Sequence, residues 1–272
     1  MADEESRLAL LASPEAAALD RERTVVVVPT GSIEQHGPHL PLDTDSFLCT
    51  AVAEAAAERA RSDGPVLVVP TVSVGASEHH MAFPGTLTLR PATFLAVVKD
   101  LCGSLSRHGF RRQLVVNGHG GNRALLAEAI QEIGFEEPVH VGLVDYWSLA
   151  RAVVDDVRES PPGGMAHACE FETSLMLFLR PESVRQDLIE REIPRPRSQS
   201  ELFDLFLTSP LSTHWKTREL SRSGVMGAPD LATAEKGRRL FEGCADGLAR
   251  LIEEIRGVAL PPPDRIGDSA TA

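Results

Sequence analysis

The sequence predicts an α/β fold, a three-layer α/β/α sandwich around a mainly parallel central sheet. Three observations point to it. Apolar, β-branched runs recur at 25–29, 66–70, 113–117 and 139–144. Runs without polar alternation suit strands covered on both faces, as in parallel sheets. Helical stretches alternate with these runs, and a βαβα order wraps helices on both sides of one sheet. Polar clusters gather just after the first and third runs, where open α/β sheets place their ligands.

Each element has a local reason. The run Val25-Val26-Val27-Val28-Pro29 opens the sheet, and an Ala- and Glu-rich helix is expected over 44–61. Thr44 is its N-cap candidate and Gly64 follows its end. Val66-Leu67-Val68-Val69-Pro70 is the second strand. The next helix, 91–107, starts with Pro91 at the first turn, and Phe94, Leu95, Val98, Leu101 and Leu105 share one face. A third strand covers 113–117, a helix 122–133 and a fourth strand 139–144. The prolines of 181–223 point to long loops with a short helix near 201–207. A final helix is expected over 233–256. One domain is expected over 1–260, with 261–272 a disordered tail.

Charge narrows the partners. Carboxylates outnumber Lys and Arg by 39 to 27, a formal charge of −12. Phosphate backbones and anionic lipid surfaces both demand cations, so neither nucleic acid nor membrane is an expected partner. No stretch of about 18 apolar residues exists to span a bilayer. The four cysteines form no CxxC pair, which argues against a disulfide framework or zinc ribbon. The acidic N-terminus does not read as a signal peptide, so a cytoplasmic location is expected.

Three clusters carry chemistry. The first, 29–45, holds Glu34 and His36, two apart and on one side of an extended backbone. Asp45 follows where the next helix starts, as an N-cap or as a ligand. The second, Asn117-Gly118-His119-Gly120-Gly121-Asn122, lacks the Lys and Ser/Thr of a phosphate loop. Its glycines are read as letting the backbone pass close to a site into which His119 points. The third, His167-Ala168-Cys169-Glu170-Phe171-Glu172-Thr173-Ser174, is a helix start with acids in its first turn. It also offers His167 and Glu170 to a metal or to proton transfer. Together the clusters place Glu, His, Asp, His and Glu on one rim, which fits two divalent metals sharing a carboxylate. The mixed N/O set allows Zn or Mn, and also Fe.

These strings, with Phe83-Pro84-Gly85-Thr86 and the stretch from Ser223-Gly224-Val225-Met226-Gly227 to Gly237, resemble the creatininase family of metal-dependent amidohydrolases. The likeness spans roughly residues 24–250. It implies an α/β sandwich with a dinuclear centre, in a homo-oligomer that is often hexameric. By position, Glu34 and His119 would bind one metal, His36 the other, and Asp45 both. Creatininase proper has a Glu two residues after the second-cluster His, and that position here is Gly121. Other members have a Glu three residues after the later His, which assigns Glu170 as the fifth ligand.

The resemblance also implies hydrolysis. Two metals lower the pKa of a bridging water, the hydroxide attacks an amide carbonyl, and His167 passes a proton to the leaving nitrogen. His80, just before Phe83-Pro84-Gly85-Thr86, either contacts substrate or is structural. Gly120 and Asn122 are expected at the substrate, and Trp147 either lines the pocket with Tyr146 or packs in the core. Cys169 is a small packing residue or a redox-sensitive one. The expected partner is a small-molecule amide: a cyclic amide, a formamide or a small peptide. The alternatives are the same site run in the synthetic direction and a maturation peptidase of the mycofactocin type.

Overall fold

Four parallel strands form the central sheet, in the order β2-β1-β3-β4. This is a computed structural model, and it describes residues 6–262. Residues 263–272 of the expected tail lie outside the described residues. In chain order the elements are α1 (Ser13–Ala18), β1 (Val25–Thr30), α2 (Thr44–Arg59), β2 (Val66–Val68), α3 (Pro91–Arg107), β3 (Arg112–Asn117), α4 (Arg123–Glu136), β4 (His140–Asp145), α5 (Arg151–Val157), β5 (Met165–His167), α6 (Glu170–Leu179), α7 (Thr217–Leu220), β6 (Met226–Gly227) and α8 (Ala234–Gly257).

The strand alternation explains the uninterrupted apolar runs. Val25, Val27, Val66, Val68, Leu114 and Val116 face one core with α2, α6 and α8. Val26, Val28, Leu67, Val69 and Val115 face a second core with Phe94 and Val98 of α3 and Leu126 and Ile133 of α4. Each face of the sheet is therefore covered, and three layers result. Thr233 caps α8 by accepting a hydrogen bond from Lys236 N at 3.1 Å.

Topology locates the site. From β1 the chain crosses to β2 on one side and then returns to β3 on the other. β1 and β3 are neighbours in register from Val25↔Arg112 to Thr30↔Asn117. The direction of winding reverses between them, and a crevice opens beyond their carboxyl ends. The first two polar clusters leave the sheet there.

Two features depart from the sequence reading. No helix forms over 201–207. The Glu201 carboxylate instead binds Arg197 and Thr213, and that of Asp204 binds Arg158, the Gly163 amide and the Phe206 amide. Side chains held from several directions leave no helical path. The short antiparallel pair β5–β6 is also absent from the sequence reading. It delivers His167 to the crevice. Ala168, just beyond it, has φ 49°, the only positive value at a non-glycine among the described residues. That left-handed kink turns the chain from β5 into α6.

Candidate metal centre

Glu34, His36, Asp45, His119 and His167 converge at the crevice, all nearly buried. The turn after β1 supplies Glu34 and His36, the first turn of α2 supplies Asp45, and the turn after β3 supplies His119. Gly118 lets these turns approach: a Cβ there would stand 2.6 Å from Cys49 Cβ and 2.9 Å from Asp45 O. Asp45 lies between the two sides, with Oδ1 3.0 Å from His36 Nε2 and Oδ2 3.0 Å from His119 Nδ1. Glu34 Oε2 is 3.2 Å from His119 Nδ1.

The backbone orients the imidazoles. His36 Nδ1 donates to Glu34 O at 3.1 Å, leaving Nε2 toward the cluster. His119 Nε2 donates toward Ala76 O at 3.3 Å, leaving Nδ1 toward it. His167 Nε2 donates to Gln35 O at 2.7 Å, which leaves Nδ1 as an acceptor 3.6 Å from Glu34 Oε1. Carbonyl partners of this kind are what fix ligand tautomers in metal sites.

The fifth acid is not where the sequence reading put it. Glu170 is fully buried, but its carboxylate binds Lys236 Nζ at 2.6 Å and the amides of Ser160 at 3.0 Å and Glu159 at 3.2 Å. It faces α8, away from the cluster. Glu172 instead stands beside the cluster: Oε2 accepts from Cys169 N at 3.1 Å and Oε1 lies 3.8 Å from His36 Nε2. The two acids are two positions apart on one helix, so they point about 200° apart. Only Glu172 faces the crevice.

Among the described residues, three trios bring their ligand atoms within 4.8 Å of one another: Glu34 with Asp45 and His119, His36 with His167 and Glu172, and Glu34 with His80 and His167. Both oxygens of Glu34 and Oδ2 of Asp45 are buried without a well-directed hydrogen bond, their near neighbours being the imidazole nitrogens of His80 and His119. A buried carboxylate without such a bond is costly, and a cation is its natural complement. The donor set thus fits divalent ions of borderline hardness.

Local fields agree. Burial opposes charge on His36, yet the adjoining Asp45 carboxylate pushes its pKa up to about 10. Burial likewise opposes charge on His119, and Glu34 and Asp45 raise it well above the usual range. Burial lifts Glu172 to about 7. Burial, then the neighbouring His36, pushes His167 down to about 3. The acids therefore draw positive charge into the crevice, while His167 stays neutral.

The centre forms the floor of a cavity of about 500 Å3, whose lining includes Gly120, Tyr146 and Trp147. Gly120 has open space beside its Cα. Asn122 does not reach the cavity. It is fully buried, its Oδ1 accepting from Ala76 N at 2.9 Å and its Nδ2 donating to Gly31 O at 3.0 Å, so it ties two turns together. His80 is engaged at both nitrogens. Gln35 Nε2 donates to Nδ1 at 2.8 Å, and Nε2 stands 3.2 Å from Glu34 Oε1. The Nε2 side of His80 faces the cluster, and the ring lines the cavity floor beside Glu34. Cys169 packs beneath Gly227, where a Cβ would come 2.6 Å from the cysteine Cβ. Sequence reading missed His79, Phe203 and Trp215, which also line the cavity.

The molecule is thus an α/β protein whose strand ends carry a buried cluster of imidazoles and carboxylates at the base of a pocket open to solvent. Residues 9–252 match the family described as creatininase, creatinine amidohydrolase. The chain is 35% identical over 240 residues to a mycofactocin precursor peptide peptidase of Mycolicibacterium smegmatis, covering 86% of this chain and 88% of that protein. It is 32% identical over 248 residues to a creatinine amidohydrolase of Pseudomonas putida, covering 85% and 89%. A solved creatininase variant of Zn-Zn type superposes with a TM-score of 0.79 at 29% identity, covering 93% of this chain and 98% of the other. The chain belongs to the creatininase family, hydrolases that act on C–N amide bonds.

Proposed function

We propose that this protein is a dinuclear metal-dependent amidohydrolase whose substrate is a short peptide or an amide of similar size. The observation that carries the reading is the set of buried carboxylate oxygens on Glu34 and Asp45, without a well-directed hydrogen bond, at the floor of the cavity. Glu34 and His119 would hold one ion, His36 and Glu172 the other, and Asp45 both, since its two oxygens face opposite sides. When bound, such ions acidify a water and polarise the scissile carbonyl. Zn or Mn suits the donors.

The chain's own residues do the rest. His167, neutral and held through Nε2 by the Gln35 carbonyl, presents Nδ1 to the cavity. It takes a proton as water attacks the carbonyl and returns it to the leaving nitrogen. Gln35 keeps His80 and His167 in place. Cavity size favours the peptide over creatinine: about 500 Å3 falls in the range of sites for drug-sized ligands. The likeness to a peptidase of M. smegmatis supports the same choice.

The test is a screen of the Zn- or Mn-loaded protein against short peptides, formamides and creatinine. Peptide hydrolysis that stops on chelation is expected. Turnover of creatinine alone would overturn the substrate class.

A further inference from the structure

The stretch between α6 and α7 contributes a wall to the cavity that the catalytic reading does not use. Residues 193–216 contain no helix or strand, yet they are pinned at several points. The Glu201 carboxylate accepts from Arg197 Nη2 at 2.8 Å and Thr213 Oγ1 at 2.5 Å. Asp204 accepts from Arg158 Nη2 at 2.6 Å, and Leu205 N donates to Met165 O at 2.8 Å. Phe206 plugs the core against Phe171, with ring centres 5.2 Å apart. Thr217, at the end of the stretch, donates to His79 O at 2.9 Å. The strap is tied both to the core and to the segment beside the metal centre.

Three rings stand in sequence on this wall. Phe203 meets Trp215 edge to face at 5.7 Å, and Trp215 meets His79 edge to face at 5.0 Å. His79 then stacks on His119, 5.5 Å away and 12° from parallel. Among the described residues neither ring nitrogen of His79 has a hydrogen-bond partner, and all three side chains line the cavity. His79 is itself packed over Gly121, where a Cβ would fall 2.8 Å from its Cε1. The wall thus begins at a group assigned to the metal and runs outward along one side of the pocket. Part of each ring therefore faces the cavity, where a further ring can join in the edge-to-face or offset contact that aromatic pairs prefer.

We propose that Trp215, with Phe203 and His79, is the specificity-determining wall of this site and receives an aromatic side chain of the substrate next to the scissile amide. This rests on the amidohydrolase reading for the position of the amide. Trp215 supplies the contact, and His79 offers a ring nitrogen to a polar group on the same substrate. The catalytic set lies on other elements, so the wall sorts substrates without performing chemistry.

The experiment uses the metal-loaded full chain and two probes, N-acetyl-phenylalanine amide and N-acetyl-alanine amide. Binding is measured by calorimetry and hydrolysis by amine release, for the wild type, Trp215→Ala and Trp215→Phe. The wild type is expected to prefer the phenylalanine probe by about tenfold. Trp215→Ala should bring that ratio near unity, through KM and binding rather than kcat, and Trp215→Phe should keep most of it. A preference unchanged in Trp215→Ala, or absent in the wild type, overturns the proposal. If neither probe is hydrolysed, the amidohydrolase reading is in difficulty, and the binding ratios still decide the role of the wall.

Discussion

Glu170→Gln and Glu172→Gln separate two acids of one helical turn. Glu172→Gln leaves an oxygen to cap the Cys169 amide but removes the charge 3.8 Å from His36 Nε2. Loss of even a group that merely supports a metal ligand costs about 10–100-fold in metal affinity. Loss of the ligand itself should cost more than about 100-fold at one of the two ions, with little change in melting temperature of the metal-free protein. Glu170→Gln does the reverse. It breaks the contact with Lys236 Nζ at 2.6 Å, where the glutamate is fully buried and the lysine side chain 11% exposed. Breaking a buried pair costs about 3–5 kcal/mol. Lys236 keeps Glu159 and Leu231 O as partners, so about 2–3 kcal/mol is the better figure. At about 2–4 °C per kcal/mol, Glu170→Gln should melt some 5–10 °C lower. Metal content by plasma mass spectrometry and melting by calorimetry read both variants. Metal loss in Glu170→Gln with full content in Glu172→Gln would refute the assignment.

The remaining predictions touch other parts of the molecule. His167→Ala should lower kcat by about 10²–10⁴-fold while keeping its metals, as amine release and metal analysis will show. Gly121→Ala puts a Cβ 2.5 Å from both Ala76 O and His119 Nε2, and about 1–3 kcal/mol of overpacking should appear as a lower melting temperature. Ala168→Gly should hold or raise the melting temperature by up to about 2 °C, since an L residue at φ 49° costs about 1–2 kcal/mol and glycine's extra chain entropy offsets part of the gain. Glu192 is opposed by burial but held down to about 2 by hydrogen bonds from Ser223, Arg222 and Ser221. Its folded pKa lies below the ordinary value, so its contribution is present above about pH 4.5 and lost as pH falls toward 2. Glu192→Gln should flatten acid unfolding in that window, followed by circular dichroism.

Much of the fold was legible because β-branched runs and helical periodicity are local signals. β1 to β4 and the four long helices α2, α3, α4 and α8 stand within a few residues of where their patterns put them. The rim residues Glu34, His36, Asp45 and His119 were legible because they follow strands whose ends must meet at the winding reversal. What escaped was set by phase and long range. Glu170 and Glu172 are the same residue type in one turn. Which of them faces the crevice depends on the left-handed kink at Ala168, which no pattern announces. Asn122 looked chemical but is spent on Gly31 O and Ala76 N. Trp215 and Phe203 sit in a stretch with no period, and long-range ties through Glu201, Asp204, Leu205 and Phe206 bring them to the pocket.

Anomalous diffraction from crystals of the metal-loaded protein counts the ions and identifies the residues that hold them. Two peaks per chain are expected, one bound by Glu34, Asp45 and His119 and the other by His36, Asp45 and Glu172. A single peak, or a second one held by Glu170, would rule out a dinuclear centre built on Glu172.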